Sequence, residues 1–204
     1  MISVIDYGLG NVNAIVSAYF QLGIKCRIAS QPSDLISSTH IILPGVGAYD
    51  HALQKIRNKG FEAPLNELVL GEKVKVLGIC IGLQIMANNS DEGSHSGFGW
   101  INLDTKKIIT NSKIKKNLKI PHMGWNIVKP LKKCPLLNGI ENDRFYFLHS
   151  FALDDPNRIY QSSITDYGKP LVASISYKNI YGTQFHPEKS HHQGLTILKN
   201  FHQL

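Results

Sequence analysis

Val74-Lys75-Val76-Leu77-Gly78-Ile79-Cys80-Ile81-Gly82-Leu83-Gln84 is the stretch that decides how this chain folds. The apolar run from Val74 to Ile79 reads as a buried strand, and a helix is expected from about Cys80 to Asn88. A cysteine between two glycines at such a junction has the form of a nucleophile elbow, with sulfur in place of a serine hydroxyl. The glycines allow the tight turn, which holds the sulfur above the sheet beside a helix N-terminus that favours a thiolate. The backbone N–H of Ile81 is then an expected oxyanion donor. Gly78–Gly82 also suits an inert buried cysteine in a glycine-rich turn, so its meaning depends on what the rest of the chain supplies.

Working outward, similar strand-and-glycine units recur. Ile2 to Ile5 reads as a strand ended by Tyr7-Gly8-Leu9-Gly10, and Asn11 can cap a helix running to about Leu22. Ile24 to Ala29 and His40 to Leu43 read as two more strands, the second ended by Pro44-Gly45-Val46-Gly47. Helical stretches follow from about Ala48 to Asn58 and near Pro64 to Leu70. Strands alternating with helices imply a parallel sheet covered on both faces. After Asn89 the grammar changes. A glycine-serine loop from Gly93 to Gly99 precedes short strand-like pieces at Trp100–Ile109, Ile120–Val128, Phe145–Leu148, Ile159–Ser163, Leu171–Tyr177 and Ile180–Gln184. Turn residues between them favour antiparallel pairing, and a last helix is expected from about Gln193 to Phe201. The expectation is one α/β domain over residues 1–204, a mostly parallel sheet flanked by helices with an added antiparallel strand layer in its second half.

The charge is uneven. The net +7 comes from nine lysines between Thr105 and Ile140, a segment with no acid, which leaves the remainder at −2. A basic segment on a nearly neutral body is weak ground for nucleic-acid binding, and it lacks the interleaved aromatics on which single strands stack. A solvated sheet edge accounts for it more simply. Three cysteines, none at CxxC spacing, suggest a reducing, cytoplasmic setting. Met1 to Gly8 lacks a basic leader segment, and no run approaches 18 apolar residues, so neither secretion nor a membrane span is expected. Neither GxGxxG nor GxxxxGK[ST] occurs, and His191-His192 stands without ligands at metal spacing, so no cofactor or metal is expected.

A thiol nucleophile needs a base. Thr183-Gln184-Phe185-His186-Pro187-Glu188-Lys189 offers one with its own orienter, because in extended backbone His186 and Glu188 point to the same face. A carboxylate on one ring nitrogen fixes the tautomer and leaves the other for the thiol. Pro44–Gly47 offers glycine N–H groups after another strand, suited to a second oxyanion donor.

Gly-Ile-Cys-Ile-Gly-Leu-Gln at 78–84 followed by Phe-His-Pro-Glu at 185–188 resembles the class I (triad) glutamine amidotransferases. Ile5–Asn11, Leu43–Ala48, Pro121–Asn126, Tyr146–Phe151 and Phe185–Ser190 narrow the resemblance to the HisH family, the glutaminase subunits of imidazole glycerol phosphate synthase. The matches run in order from residue 2 to about residue 198. The resemblance implies a flavodoxin-like sheet and a glutaminase acting on L-glutamine. It assigns Cys80 as nucleophile, His186 as base and Glu188 as orienter. It assigns oxyanion N–H groups to Ile81 and to Val46 or Gly47, and glutamine contacts to Gln84, His149 and Ser150. Asn11, Trp125, Asn126 and Lys189 would lie toward the synthase, a separate HisF-type cyclase in a heterodimer. Ala87–Gly93, Gly97–Ile101 and the lysine-rich stretch depart from the family pattern. A related subunit that supplies ammonia to a surface-sugar synthase is therefore the alternative.

Overall fold

The structure, a computed structural model, describes residues 1–109 and 118–204. Lys113, Lys115 and Lys116 of the basic segment lie outside the described residues. The first half runs β1 (Ile2–Ile5), α1 (Val12–Gln21), β2 (Cys26–Ala29), β3 (His40–Leu43), α2 (Tyr49–Asn58), α3 (Glu62–Leu70), β4 (Lys75–Ile79) and α4 (Ile81–Gln84). The second half runs β5 (Asn89–Ser90), β6 (Asp104–Lys107), β7 (His122–Ile127), β8 (Lys129–Pro130), β9 (Arg144–His149), β10 (Phe151–Asp154), β11 (Gln161–Asp166), β12 (Pro170–Tyr177), β13 (Ile180–Thr183) and α5 (His191–Gln203).

An eight-stranded sheet in the order β2-β1-β3-β4-β13-β12-β11-β8 forms the centre. The five strands from β2 to β13 pair in parallel, and β12, β11 and β8 extend the sheet antiparallel. Every residue of β1, β3 and β13 is buried, as expected for strands with both faces covered. Two small sheets, β10-β6-β5 and β7-β9, make the added layer. Most of that layer is antiparallel, but β5 pairs with β6 in parallel.

Several boundaries differ from those expected. The helix after Cys80 is one turn, Ile81–Gln84, instead of reaching Asn88. Its would-be carbonyl acceptors are taken from outside: Ile85 O by Phe98 N, Met86 O by Trp100 N and Ala87 O by Gly99 N. The glycine-serine loop thus ends the helix by long-range bonds, and a Cβ on Gly97 would strike the Ala87 carbonyl. The strand expected over Trp100–Ile109 is reduced to β6 for the same reason, since its first residues serve that loop. Asn11 sits at the start of α1, but its side chain makes no cap hydrogen bond. The last helix begins at His191, two residues before the expected start.

The order β1-β3-β4-β13 sets the loops that follow these strands side by side at one end of the sheet, where parallel sheets bind ligands. Phe185, just past β13, packs its ring on Phe145 and Phe147 of β9 at centroid distances of 4.2 and 5.8 Å. All three rings are fully buried. At roughly 1.5–3 kcal/mol for each such side chain, this stack fastens the β7-β9 layer to the sheet.

Candidate active site

Cys80 has φ 55° and ψ −110°, a backbone conformation costly for any residue with a Cβ. Close glycine contacts hold it there. A Cβ on Gly78 would lie 2.7 Å from Leu83 Cα, and one on Gly82 would strike the carbonyl of Leu43. A Cβ on Gly45 would stand 2.5 Å from Gly82 N, so the Pro44–Gly47 loop lies directly on the elbow. Tyr7 locks the same loop by donating its buried hydroxyl to Pro44 O at 2.6 Å. Gly47 has φ +88°, which presents its peptide in a way open to glycine. Ile81 N–H stands at the unsatisfied start of α4, beside the sulfur. Because α4 is a single turn, the favourable field at Cys80 comes from these local N–H groups more than from a helix dipole.

His186 and Glu188 lie side by side, with Nδ1 and Oε1 2.9 Å apart and both side chains only 2% exposed. Extended alternation does not bring them together, contrary to expectation. Pro187–Lys189 forms a short 3₁₀ turn, and the carboxylate swings back onto the ring. Glu188 Oε2 is buried and has no partner among the described residues. With Nδ1 engaged by Glu188, Nε2 is left for Cys80, which lines the same cavity. Burial opposes a charge on His186, but the bonds and charges of Cys80 and Glu188 outweigh it and raise its pKa above the usual imidazole range. The backbone of β9 steadies the histidine, because His186 N donates to Tyr146 O at 2.9 Å and Tyr146 N donates to Ser190 Oγ at 3.1 Å.

A cavity of about 250 Å³ opens on this array. Val46, Gly47, Cys80, Ile81, Gln84, His149, Ser150 and His186, all expected from sequence, line it together. Glu92 lines it too, an acid in the segment that departs from the family pattern. A larger cleft of about 410 Å³, lined in part by Lys106, Arg158 and Lys169, contains none of these residues. Among the described residues no group of three or more His, Cys, Asp or Glu is placed to hold a metal ion.

Two buried residues escaped the sequence reading. Gln184 Oε1 accepts from Gln84 Nε2 at 3.0 Å, and its Nε2 lies 3.6 Å from Cys80 Sγ. The alternation that pointed from His186 to Glu188 also points back to Gln184. His122 Nδ1 lies 2.9 Å from His149 Nε2, while His149 Nδ1 donates to Phe151 O at 2.8 Å. Nothing local signals that cross-strand pair, because β7 and β9 are 27 residues apart at that point. Burial lowers the pKa of His122 to about 4 and that of His149 to about 3, so both rings are neutral with fixed tautomers.

The remaining expected residues divide between two faces. Trp125 and Lys189 share one exposed cluster: Trp125 stacks on His191 at 5.1 Å, and Lys189 Nζ sits 5.6 Å above the Tyr146 ring. Asn126 faces the other way, donating to His122 Nε2 at 3.2 Å and to Asp166 O at 2.9 Å. Asn11 is exposed at the head of α1.

An α/β sheet that sets a cysteine and a buried His–Glu pair at one cavity has the arrangement that a triad enzyme working through a thiol requires. The chain belongs to the class-I glutamine amidotransferase family, whose model matches residues 3–204. It is 44% identical to the imidazole glycerol phosphate synthase subunit HisH of Bdellovibrio bacteriovorus over 205 residues, covering 100% of both chains. It is 40% identical to the protein of the same name from Leptospira interrogans, again over 100% of both. It superposes on the structure of PurLQS from Thermotoga maritima with a TM-score of 0.75 at 17% identity, covering 99% of this chain and 97% of that one. A crystal structure of a glutamine amidotransferase gives 0.75 at 14% identity over 98% of each chain.

Proposed function

We propose that this protein is the glutaminase subunit of an imidazole glycerol phosphate synthase, hydrolysing L-glutamine and passing ammonia to a HisF-type cyclase in histidine biosynthesis. What carries the reading is the buried Cys80–His186–Glu188 array on a cavity, in a chain whose full-length relatives bear the HisH name. The Cys80 thiolate attacks the carboxamide carbon, and the oxyanion is met by Ile81 N–H and an N–H of Val46 or Gly47. The His186 imidazolium gives its proton to the departing nitrogen, which leaves as ammonia, and a glutamyl thioester remains. Neutral His186 then takes a proton from water as it attacks the thioester. Glutamate leaves, and the thiolate–imidazolium pair is restored. Glu188 keeps Nδ1 occupied throughout. Gln84 and the backbone at His149 and Ser150 hold the glutamine, and the Glu92 carboxylate suits its α-ammonium group.

The partner surface is read from the β7-β9 ribbon. Its outward face carries Met123, Trp125 and Ile127 with Leu148 across the pair, all well exposed. Such a patch on a two-stranded ribbon suits a permanent partner. Tyr146, whose ring faces Trp125, also holds His186 through its backbone, so partner and triad share one strand. We place the protein in the cytoplasm on the strength of its HisH-named relatives, and no helix among the described residues is long and apolar enough to cross a membrane. Growth of a histidine auxotroph lacking HisH on this chain tests the assignment. Failure to grow, with the protein expressed and folded, would point to a different ammonia acceptor.

A further inference from the structure

Gln184 is fully buried just past β13, and its carboxamide faces Gln84 and Cys80. Which end faces which is settled by acceptors that cannot donate. Phe151 O accepts from Gln84 Nε2 at 3.0 Å, so the Gln84 amide nitrogen lies at that junction. Its second proton goes to Gln184 Oε1 at 3.0 Å, and Gln184 Nε2 is left facing Cys80 Sγ at 3.6 Å. Gln84 Oε1 is buried without a partner among the described residues, on the wall of the cavity. One carboxamide therefore offers a donor to the sulfur and turns the Gln84 carbonyl toward the place where glutamine binds.

The other groups around the sulfur show why a donor matters. His186 shares the cavity wall with Cys80, with Glu188 behind it. Leu148 O, 3.7 Å from Sγ, can only accept, so it favours the protonated thiol. The Tyr7 hydroxyl is spent on Pro44 O. Gln184 is thus a neutral donor set against the Leu148 carbonyl.

We propose that Gln184 is a catalytic residue, donating to the Cys80 thiolate while it fixes Gln84 for substrate. The proposal rests on Cys80 being the nucleophile, and it needs no partner protein. The test compares Gln184→Glu with Gln184→Met in the full chain. Glutamate keeps an acceptor for Gln84 but sets a carboxyl against the sulfur, whose charge acts on the thiol in its own right, so methionine, which removes both hydrogen bonds, decides the donor role. The first readout is iodoacetamide alkylation of the Cys80 peptide against pH, followed by mass spectrometry so that Cys26 and Cys134 are scored separately. The second is kcat and KM for glutamine.

Losing a hydrogen bond to a charged sulfur is worth about tenfold or more. In Gln184→Glu the alkylation midpoint should rise by about one pH unit and kcat should fall about tenfold, with KM near wild type. In Gln184→Met the midpoint should rise similarly, and KM should rise several-fold as well. A wild-type alkylation midpoint in a folded Gln184→Met would overturn the proposal, even if turnover fell. Loss of the underlying assignment is a separate result: Cys80→Ala would then still release glutamate from glutamine.

Discussion

Cys80, His186 and Glu188 meet because the segments that follow β4 and β13 end side by side, yet each is held by its own local device. Removing Glu188's charge by Glu188→Gln frees the His186 ring and withdraws the charge that supports its protonated form. Glutaminase kcat should fall on the order of 10²-fold or more with little change in KM. Steady-state kinetics with a fold check by circular dichroism would show it, and an unchanged kcat would remove Glu188 from the triad. Glu92→Gln should act oppositely, raising KM for glutamine several-fold with kcat nearly kept, because the charge proposed to meet the α-ammonium is lost. Three buried histidines set the acid limit. His40, His122 and His149 have folded pKa values lowered to about 4, 4 and 3, chiefly by burial. Their neutral forms contribute stability above the unfolded value of about 6.5, and that contribution is lost as pH falls through the folded values. His186 runs the other way, its raised value fading only as pH climbs through it. Thermal melts should therefore show Tm dropping steadily from about pH 6.5 to pH 4. A flat profile there would contradict the neutral, buried assignment. At this scale the grouping of Cys80, His186 and Glu188 is legible in the sequence, since the GxCxG turn and His-x-Glu are short-range patterns. The His122–His149 pair and the inward turn of Asn126 are not, because each depends on which face of a distant strand it meets.

The elbow and the β7-β9 ribbon are the elements on which the proposed function rests. Gly82 has no room for a Cβ against the Leu43 carbonyl, so Gly82→Ala must push the Pro44–Gly47 loop off Cys80. Overpacking of this kind costs about 1–3 kcal/mol, and here it also displaces the oxyanion donors. Glutaminase activity should fall by more than tenfold while the melting temperature drops only modestly, a comparison that one purified variant supplies. On the ribbon, Trp125→Ala removes the centre of the exposed apolar face. Affinity for the cyclase should weaken by about 2 kcal/mol or more, measured by calorimetry, with glutaminase chemistry in the isolated subunit little changed. Full affinity in that variant would move the docking surface elsewhere. Strand-and-glycine units predict β1, β3 and β4 closely, because apolar runs ended by glycine have few other solutions. The one-turn α4 and the two-residue strands β5 and β8 are invisible locally, since hydrogen bonds from the 97–101 loop and from neighbouring strands decide them.

The whole molecule joins a sheet end that holds the triad to a ribbon whose outer face is apolar, with Tyr146 belonging to both. Among the described residues, Lys106 pairs with Asp91 at the surface, and no lysine of the basic segment lines the cavity at Cys80. Net charge thus says little about chemistry here, whereas the order of glycine-ended strands says a great deal. A subunit built this way should release glutamate slowly alone and faster with its cyclase. The most direct measurement places Cys80→Ala in complex with a HisF-type cyclase and follows imidazole glycerol phosphate formation from glutamine and, separately, from ammonium. The account predicts that glutamine-dependent synthesis is lost by at least ~10³-fold while ammonium-dependent synthesis continues at the wild-type rate. Glutamine-dependent synthesis surviving in Cys80→Ala would contradict it.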